Sequence, residues 1–61
     1  MPIVRVEMVA GRPVEMKREL AKRLTEETAD VLGLKPETVY VVIEDIPKEN
    51  WGVGGTLLSD K

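Results

Sequence analysis

Apolar and polar positions alternate from Pro2 to Val9. Pro2, Val4, Val6 and Met8 fall on one side, and Ile3, Arg5, Glu7 and Val9 on the other. That two-residue period predicts a strand with one dry face and one mixed face. Ala10-Gly11-Arg12 ends the alternation and reads as a turn. Pro13 then stands where a helix accepts its first residue, since the N–H it lacks would have no partner there. Glu15 suits the positive end of the helix dipole. From there to about Leu32 the period becomes helical. Met16, Leu20, Leu24 and Val31, flanked by Ala21, Thr28 and Leu32, form one stripe. The other face carries Lys17, Arg18, Glu19, Lys22, Arg23, Glu26 and Glu27 and reads as solvated. Glu19 with Arg23, and Lys22 with Glu26, stand four apart, the spacing of weak helical ion pairs. Gly33 is the natural C-cap, and Lys35-Pro36 prevents continuation.

Val39 to Ile46 reads as a second strand. Its β-branched and aromatic run suits burial in the middle of a sheet. Strand, helix and strand make one β-α-β unit of the α/β class (α+β in some schemes), with parallel strands and a right-handed crossover. Pro47 to Thr56 reads as a turn and a glycine-rich hairpin or arm. Two strands and one helix leave a sheet face and both sheet edges open, so such a unit is suited to pairing with copies of itself.

Length strengthens that expectation. A chain of 61 residues predicts one domain, residues 1–61, and buries only about 60% of its unfolded surface. Small domains are usually stabilised by disulfides, metals or partner subunits. With no cysteine and no histidine, disulfides are impossible and the usual transition-metal ligands are missing. At 43% hydrophobic residues, the chain is not a disordered tail. Oligomerisation is the remaining route.

The same absences exclude Cys/His and Ser/His nucleophile pairs, an imidazole base and a zinc site. A net charge of −2 with interspersed signs offers no basic stripe, and one Trp, one Tyr and no Phe offer no stacking platform, so no nucleic-acid partner is expected. No apolar run approaches the ~20 residues that span a bilayer, and no signal-peptide pattern opens the chain. A soluble, cytoplasmic protein with no membrane association is expected.

Four positions could carry chemistry. Removal of Met1, usual before a small residue, leaves Pro2 with a free secondary amine, which is a base; Pro2 also simply suits methionine removal. Arg12, at the turn before the helix, can aim a guanidinium at a carboxylate in a bidentate fork, or serve as an ordinary surface arginine. A cation is disfavoured at a helix N-terminus, which speaks for function. Tyr40 faces away from Val39 and Val41 together with Val42. It is either a phenol donor in a pocket or a half-buried strand aromatic. Trp51 sits in a small-residue arm, as an anchor to a neighbour, a pocket wall or both. Gly52-Val53-Gly54-Gly55 is not a dinucleotide fingerprint, because it opens no helix after a parallel strand.

In order and spacing the chain resembles the tautomerase superfamily, and within it the small subunits of 4-oxalocrotonate tautomerase. The resemblance runs the whole length. It rests on Pro2-Ile3, on Glu7-Met8-Val9-Ala10-Gly11-Arg12, on the charged helix with Lys17, on Val39-Tyr40-Val41-Val42-Ile43, and on Trp51 to Gly55 as an aromatic-Gly-X-Gly-Gly arm. It implies the tautomerase fold and a cofactor-free isomerase acting on a small anionic enol or keto acid. Pro2 is then general base and later general acid, moving a proton between carbons of a dienol or enol. Arg12 binds a substrate carboxylate, and Trp51, where the family usually has phenylalanine, keeps the pocket apolar. It also implies a homohexamer, a trimer of dimers, with pockets built from more than one subunit. The chemistry is consistent with this. An α-amino group titrates at about 7.7–8.0 in model peptides, apolar walls and a nearby guanidinium lower that value, and a base near the working pH transfers protons efficiently.

One departure matters. Oxalocrotonate-type members carry a second arginine where this chain has Tyr40, which donates one hydrogen bond but brings no charge. Dicarboxylates such as 2-hydroxymuconate should be held less well, unless an arginine such as Arg5 substitutes. Monoacids such as 2-hydroxy-2,4-pentadienoate or phenylenolpyruvate fit better. Two rival readings stand beside the tautomerase. One is a dehalogenase or hydratase on the same scaffold, which needs a water-activating carboxylate from Glu7, Glu44 or Asp45. The other is a catalytically silent structural subunit.

Overall fold

Two seven-residue strands, β1 (Ile3–Val9) and β2 (Tyr40–Ile46), pair in parallel, with Ile3 opposite Tyr40 and Val9 opposite Ile46. The computed structural model describes all 61 residues, Met1–Lys61. Backbone hydrogen bonds extend the ladder at both ends, from the Tyr40 N–H to the Pro2 carbonyl (3.0 Å) and from the Ala10 N–H to the Ile46 carbonyl (2.9 Å). The connection between the strands is α1 (Val14–Leu32), which completes the β-α-β unit that the alternation and the helical stripe predict.

Register sorts the side chains by face. Val4, Val6 and Met8 lie opposite Val41, Ile43 and Asp45 on the side that α1 covers, and the apolar members are half-buried. Ile3, Arg5 and Glu7 lie opposite Tyr40, Val42 and Glu44 on the other side, and all six are exposed. Only Ala29 of α1 and Val39, just before β2, are buried, and no side chain is fully so.

α1 ends as its sequence requires. Gly33 adopts a left-handed φ of 67°, and the Leu34 N–H reaches back to the Ala29 carbonyl at 2.9 Å. That six-to-one bond closes orphan carbonyls of the last turn. Proline at position 36 opens a 3-10 turn over Pro36–Thr38 that leads into β2. After β2, a second 3-10 turn (Lys48–Asn50) leads to a hairpin of β3 (Gly52–Val53) and β4 (Thr56–Leu57), and a third covers Leu58–Asp60. The two hairpin-turn residues, Gly54 and Gly55, both have positive φ, 60° and 91°, as the tightest hairpin turns demand.

The structure corrects several expectations. Pro13 is the residue before the helix, with extended ψ, and the first helical residue is Val14. β2 begins at Tyr40 and has β1 as its only partner, so it is an edge strand within the chain and not a central one. Of the apolar stripe, Met16, Val31 and Leu32 are exposed, whereas Leu20, Ala21, Leu24, Thr25, Thr28 and Ala29 form the covered face. The exposed members stand in the first and last turns of α1, where a helix of about 28 Å outruns seven-residue strands of about 23 Å. Lys17 leaves the solvated face and pairs with Asp45 of β2. Glu19 and Arg23 pair at 2.7 Å, and the Arg23 hydrogen bond and charge hold the exposed Glu19 carboxyl below its ordinary range. No pair forms between Lys22 and Glu26.

Candidate active site

The four candidate residues lie at two opposite ends of the sheet. Pro2 and Tyr40 stand where the parallel strands begin, joined by the Tyr40 N–H to Pro2 carbonyl bond of 3.0 Å. Arg12 follows the far end of β1, and Trp51 follows the far end of β2 through the turn at Lys48–Asn50. Seven strand residues rise about 3.3 Å each, so the two ends are about 20 Å apart. One chain therefore does not bring Pro2 and Arg12 together. Faces separate them further. Pro2 is half-buried at the start of the helix-side row, whereas Tyr40 is 49% exposed on the open side.

Each end is locally ordered. Gly11 turns the chain out of β1 with φ 129°, a conformation that side-chain-bearing residues rarely adopt. Arg12 is exposed, and its Nη1 donates to the Val9 carbonyl at 3.1 Å. A guanidinium has five N–H donors in a planar fork, so most of them stay available to a carboxylate. Trp51 is half-buried. Its backbone is held on both sides, by its N–H to the Lys48 carbonyl (3.3 Å) and by the Leu58 N–H to its own carbonyl (2.9 Å).

The carboxylates are placed as well. Glu7 and Glu44 face each other in register on the open side, four residues along their strands from Ile3 and Tyr40. Asp45 is engaged by Lys17. That ion pair crosses 28 positions of sequence and is absent from the sequence reading. Its signal was present in part: Lys17 stands three and four residues before Leu20 and Ala21, on the covered face of α1. No three acidic side chains converge in an arrangement that could hold a metal ion. The surface grooves run along α1, beside Thr28 and Val31 and beside Met16 and Leu20. Neither includes any of the four candidates.

Residues 2–61 match the model of the family described as "Tautomerase enzyme". The chain belongs to the tautomerase family. It is 43% identical over its whole length, and that of the relative, to a probable tautomerase of Halalkalibacterium halodurans. It is 40% identical to a 2-hydroxymuconate tautomerase of Bacillus subtilis, across 98% of this chain and 97% of the relative. Among solved structures, a crystal structure of a 4-oxalocrotonate tautomerase homologue superposes with a TM-score of 0.95 at 43% identity, covering 100% of this chain and 97% of that one. A heterohexameric 4-oxalocrotonate tautomerase from Chloroflexus aurantiacus is similar at a TM-score of 0.91 and 32% identity, covering 98% and 97%. The expected family and β-α-β fold are those found, and the family is one of isomerases. No helix of this member is long and apolar enough to cross a membrane.

Proposed function

We propose that the chain, once Met1 is removed, is a cofactor-free keto–enol tautomerase whose base is the Pro2 nitrogen and whose sites are shared between subunits. Membership of the tautomerase family supports the reaction class. The observation that carries the shared site is the separation of Pro2 from Arg12 by the full length of β1. β1 keeps one edge free, since β2 occupies only the other. A second chain adding its own β1 antiparallel along that edge sets Pro2 of each subunit beside Arg12 of its partner, twice over. The heterohexameric relative supports assembly of this fold, and a homohexameric trimer of dimers in the cytoplasm is the arrangement proposed here.

In such a site the Pro2 amine takes a proton from the enol and its ammonium form returns one to carbon, so no atoms are gained or lost. In the full chain that nitrogen is the tertiary amide of the Met1–Pro2 bond, which is not basic. Loss of Met1 is therefore a condition of activity. Arg12 holds the substrate carboxylate in a bidentate fork. Trp51 supplies an apolar wall that keeps the amine's charged form disfavoured. Tyr40 offers the second end of the pocket a hydroxyl without charge. The proposed substrate is thus a small monoacid, a 2-hydroxy-dienoate or an enol-pyruvate, in preference to the dicarboxylate named for the Bacillus subtilis relative.

The deciding experiment follows phenylenolpyruvate ketonisation by ultraviolet absorbance, on protein whose intact mass shows Met1 gone. Turnover is expected, and Pro2→Ala is expected to lower it by roughly 10²–10⁴, the range for loss of a positioned general base. Equal rates in the two proteins would defeat the assignment of Pro2.

A further inference from the structure

The loop that carries Arg12 is tied at both ends to two neighbouring residues of β2. At its entry, the Ala10 N–H donates to the Ile46 carbonyl at 2.9 Å. At its exit, the Lys17 ammonium, in the first turns of α1, donates to the Asp45 carboxylate. Between Ala10 and Lys17 lie Gly11, Arg12, Pro13 and the first three residues of α1, and the Arg12 Nη1 bond to the Val9 carbonyl (3.1 Å) is a further tie, to the end of β1. No side chain caps the helix N-terminus. Val14, Glu15 and Met16 are all exposed, Lys17 is the first half-buried residue of α1, and apolar cover begins at Leu20. The helix start is thus placed on β2 by a charge pair and not by packing.

We infer that Lys17 and Asp45 are positioning residues for Arg12, acting through the helix start, an inference that rests on the carboxylate-binding role proposed for Arg12 above. The physical reason is the short lever. Arg12 is two residues from the first residue of α1, so a shift of that helix end moves the guanidinium by a similar amount. Bidentate recognition of a carboxylate tolerates little such movement. The pair is suited to the task because its side chains are only 28% and 35% exposed, which limits screening by salt. The methylenes of Lys17 extend the covered stripe of α1 while its ammonium reaches the end of β2, the usual behaviour of a long amphipathic side chain. Each of the two charges is taken up by the other, so the pair is read as acting on the placement of Arg12 and not on the proton transfer itself.

The test is steady-state kinetics on Met1-free protein with phenylenolpyruvate, comparing Asp45→Asn, Lys17→Met, the exchange Lys17→Asp with Asp45→Lys, and Arg12→Ala. Each single change of the pair is expected to raise KM about fivefold, in line with a partly exposed ion pair. kcat should stay within about twofold, the signature of lost substrate binding without lost chemistry. The exchanged pair should return KM towards the starting value. Unchanged KM in both single variants, with a raised KM in Arg12→Ala, would overturn the positioning role and leave Arg12 standing. A fall in kcat accompanied by a smaller assembly mass would also overturn it, assigning the pair to subunit stability. Unchanged KM in Arg12→Ala would remove the role of Arg12, and the inference with it.

Discussion

Tyr40 is the single residue on which the choice of substrate turns. Its backbone is tied to Pro2, and its ring stands half-exposed on the open sheet face, where a neighbouring subunit can meet it. One neutral hydroxyl donates a weaker hydrogen bond to an anion than a guanidinium does, by roughly a factor of two. Tyr40→Arg is therefore expected to raise kcat/KM for 2-hydroxymuconate about tenfold relative to phenylenolpyruvate, the equivalent of one charge-assisted bond. An unchanged ratio between the two substrates would place Tyr40 outside the pocket. At this scale the sequence was legible where chemistry is local. Pro2 is marked as a candidate by following Met1, and Arg12 by following a glycine turn. Its charge assigns Lys17 to the solvated face, although its spacing from Leu20, Ala21 and Leu24 puts it on the covered one.

Helix α1 shows how far periodicity reaches. Its C-terminal end agrees with Gly33, because that cap is decided within a few residues, while its start falls one residue later than Pro13 suggests. Its covered face is shorter than the stripe, running from Leu20 to Ala29, since what α1 buries depends on how far the strands below it extend. Gly33 gives a clean test of the local part. Its φ is 67° and an added Cβ meets nothing within 4 Å, so Gly33→Ala costs backbone strain alone. A loss of about 1 kcal/mol is expected, read by chemical denaturation at fixed protein concentration. No measurable change would mean that the helix end rearranges freely. The hairpin is legible for a similar reason, as Gly54 and Gly55 supply the positive φ values that its turn needs. The edge position of β2 was not legible, because a run of valines reads the same whether its neighbours come from its own chain or from another.

The whole chain is too open to be a finished globule. Its accessible surface is 4692 Å², against about 3,950 Å² for a compact monomer of its mass. Its radius of gyration is 14.6 Å, against about 10.5 Å for a compact domain of this length. Ile3, Tyr40 and Val42 remain exposed on the open face, and Met16, Val31 and Leu32 beside the helix. Assembly is the physical remedy, and a charge placed on the open face should prevent it. Val42→Glu is expected to reduce the solution mass measured by light scattering and to abolish turnover together with it. Full-size, active Val42→Glu protein would show that this face is not covered by another subunit.

The amino-acid order by itself determined the β-α-β path, the C-terminal end of the helix and the glycine turns, because each depends on period, cap or spacing within a few positions. Only the tertiary structure decided that Tyr40 stands beside Pro2, that Lys17 crosses to Asp45, and that the first and last turns of the helix stripe stay uncovered. Those facts depend on strand register and on how far the strands run beneath the helix, which join residues far apart in sequence and leave no periodic trace along the chain.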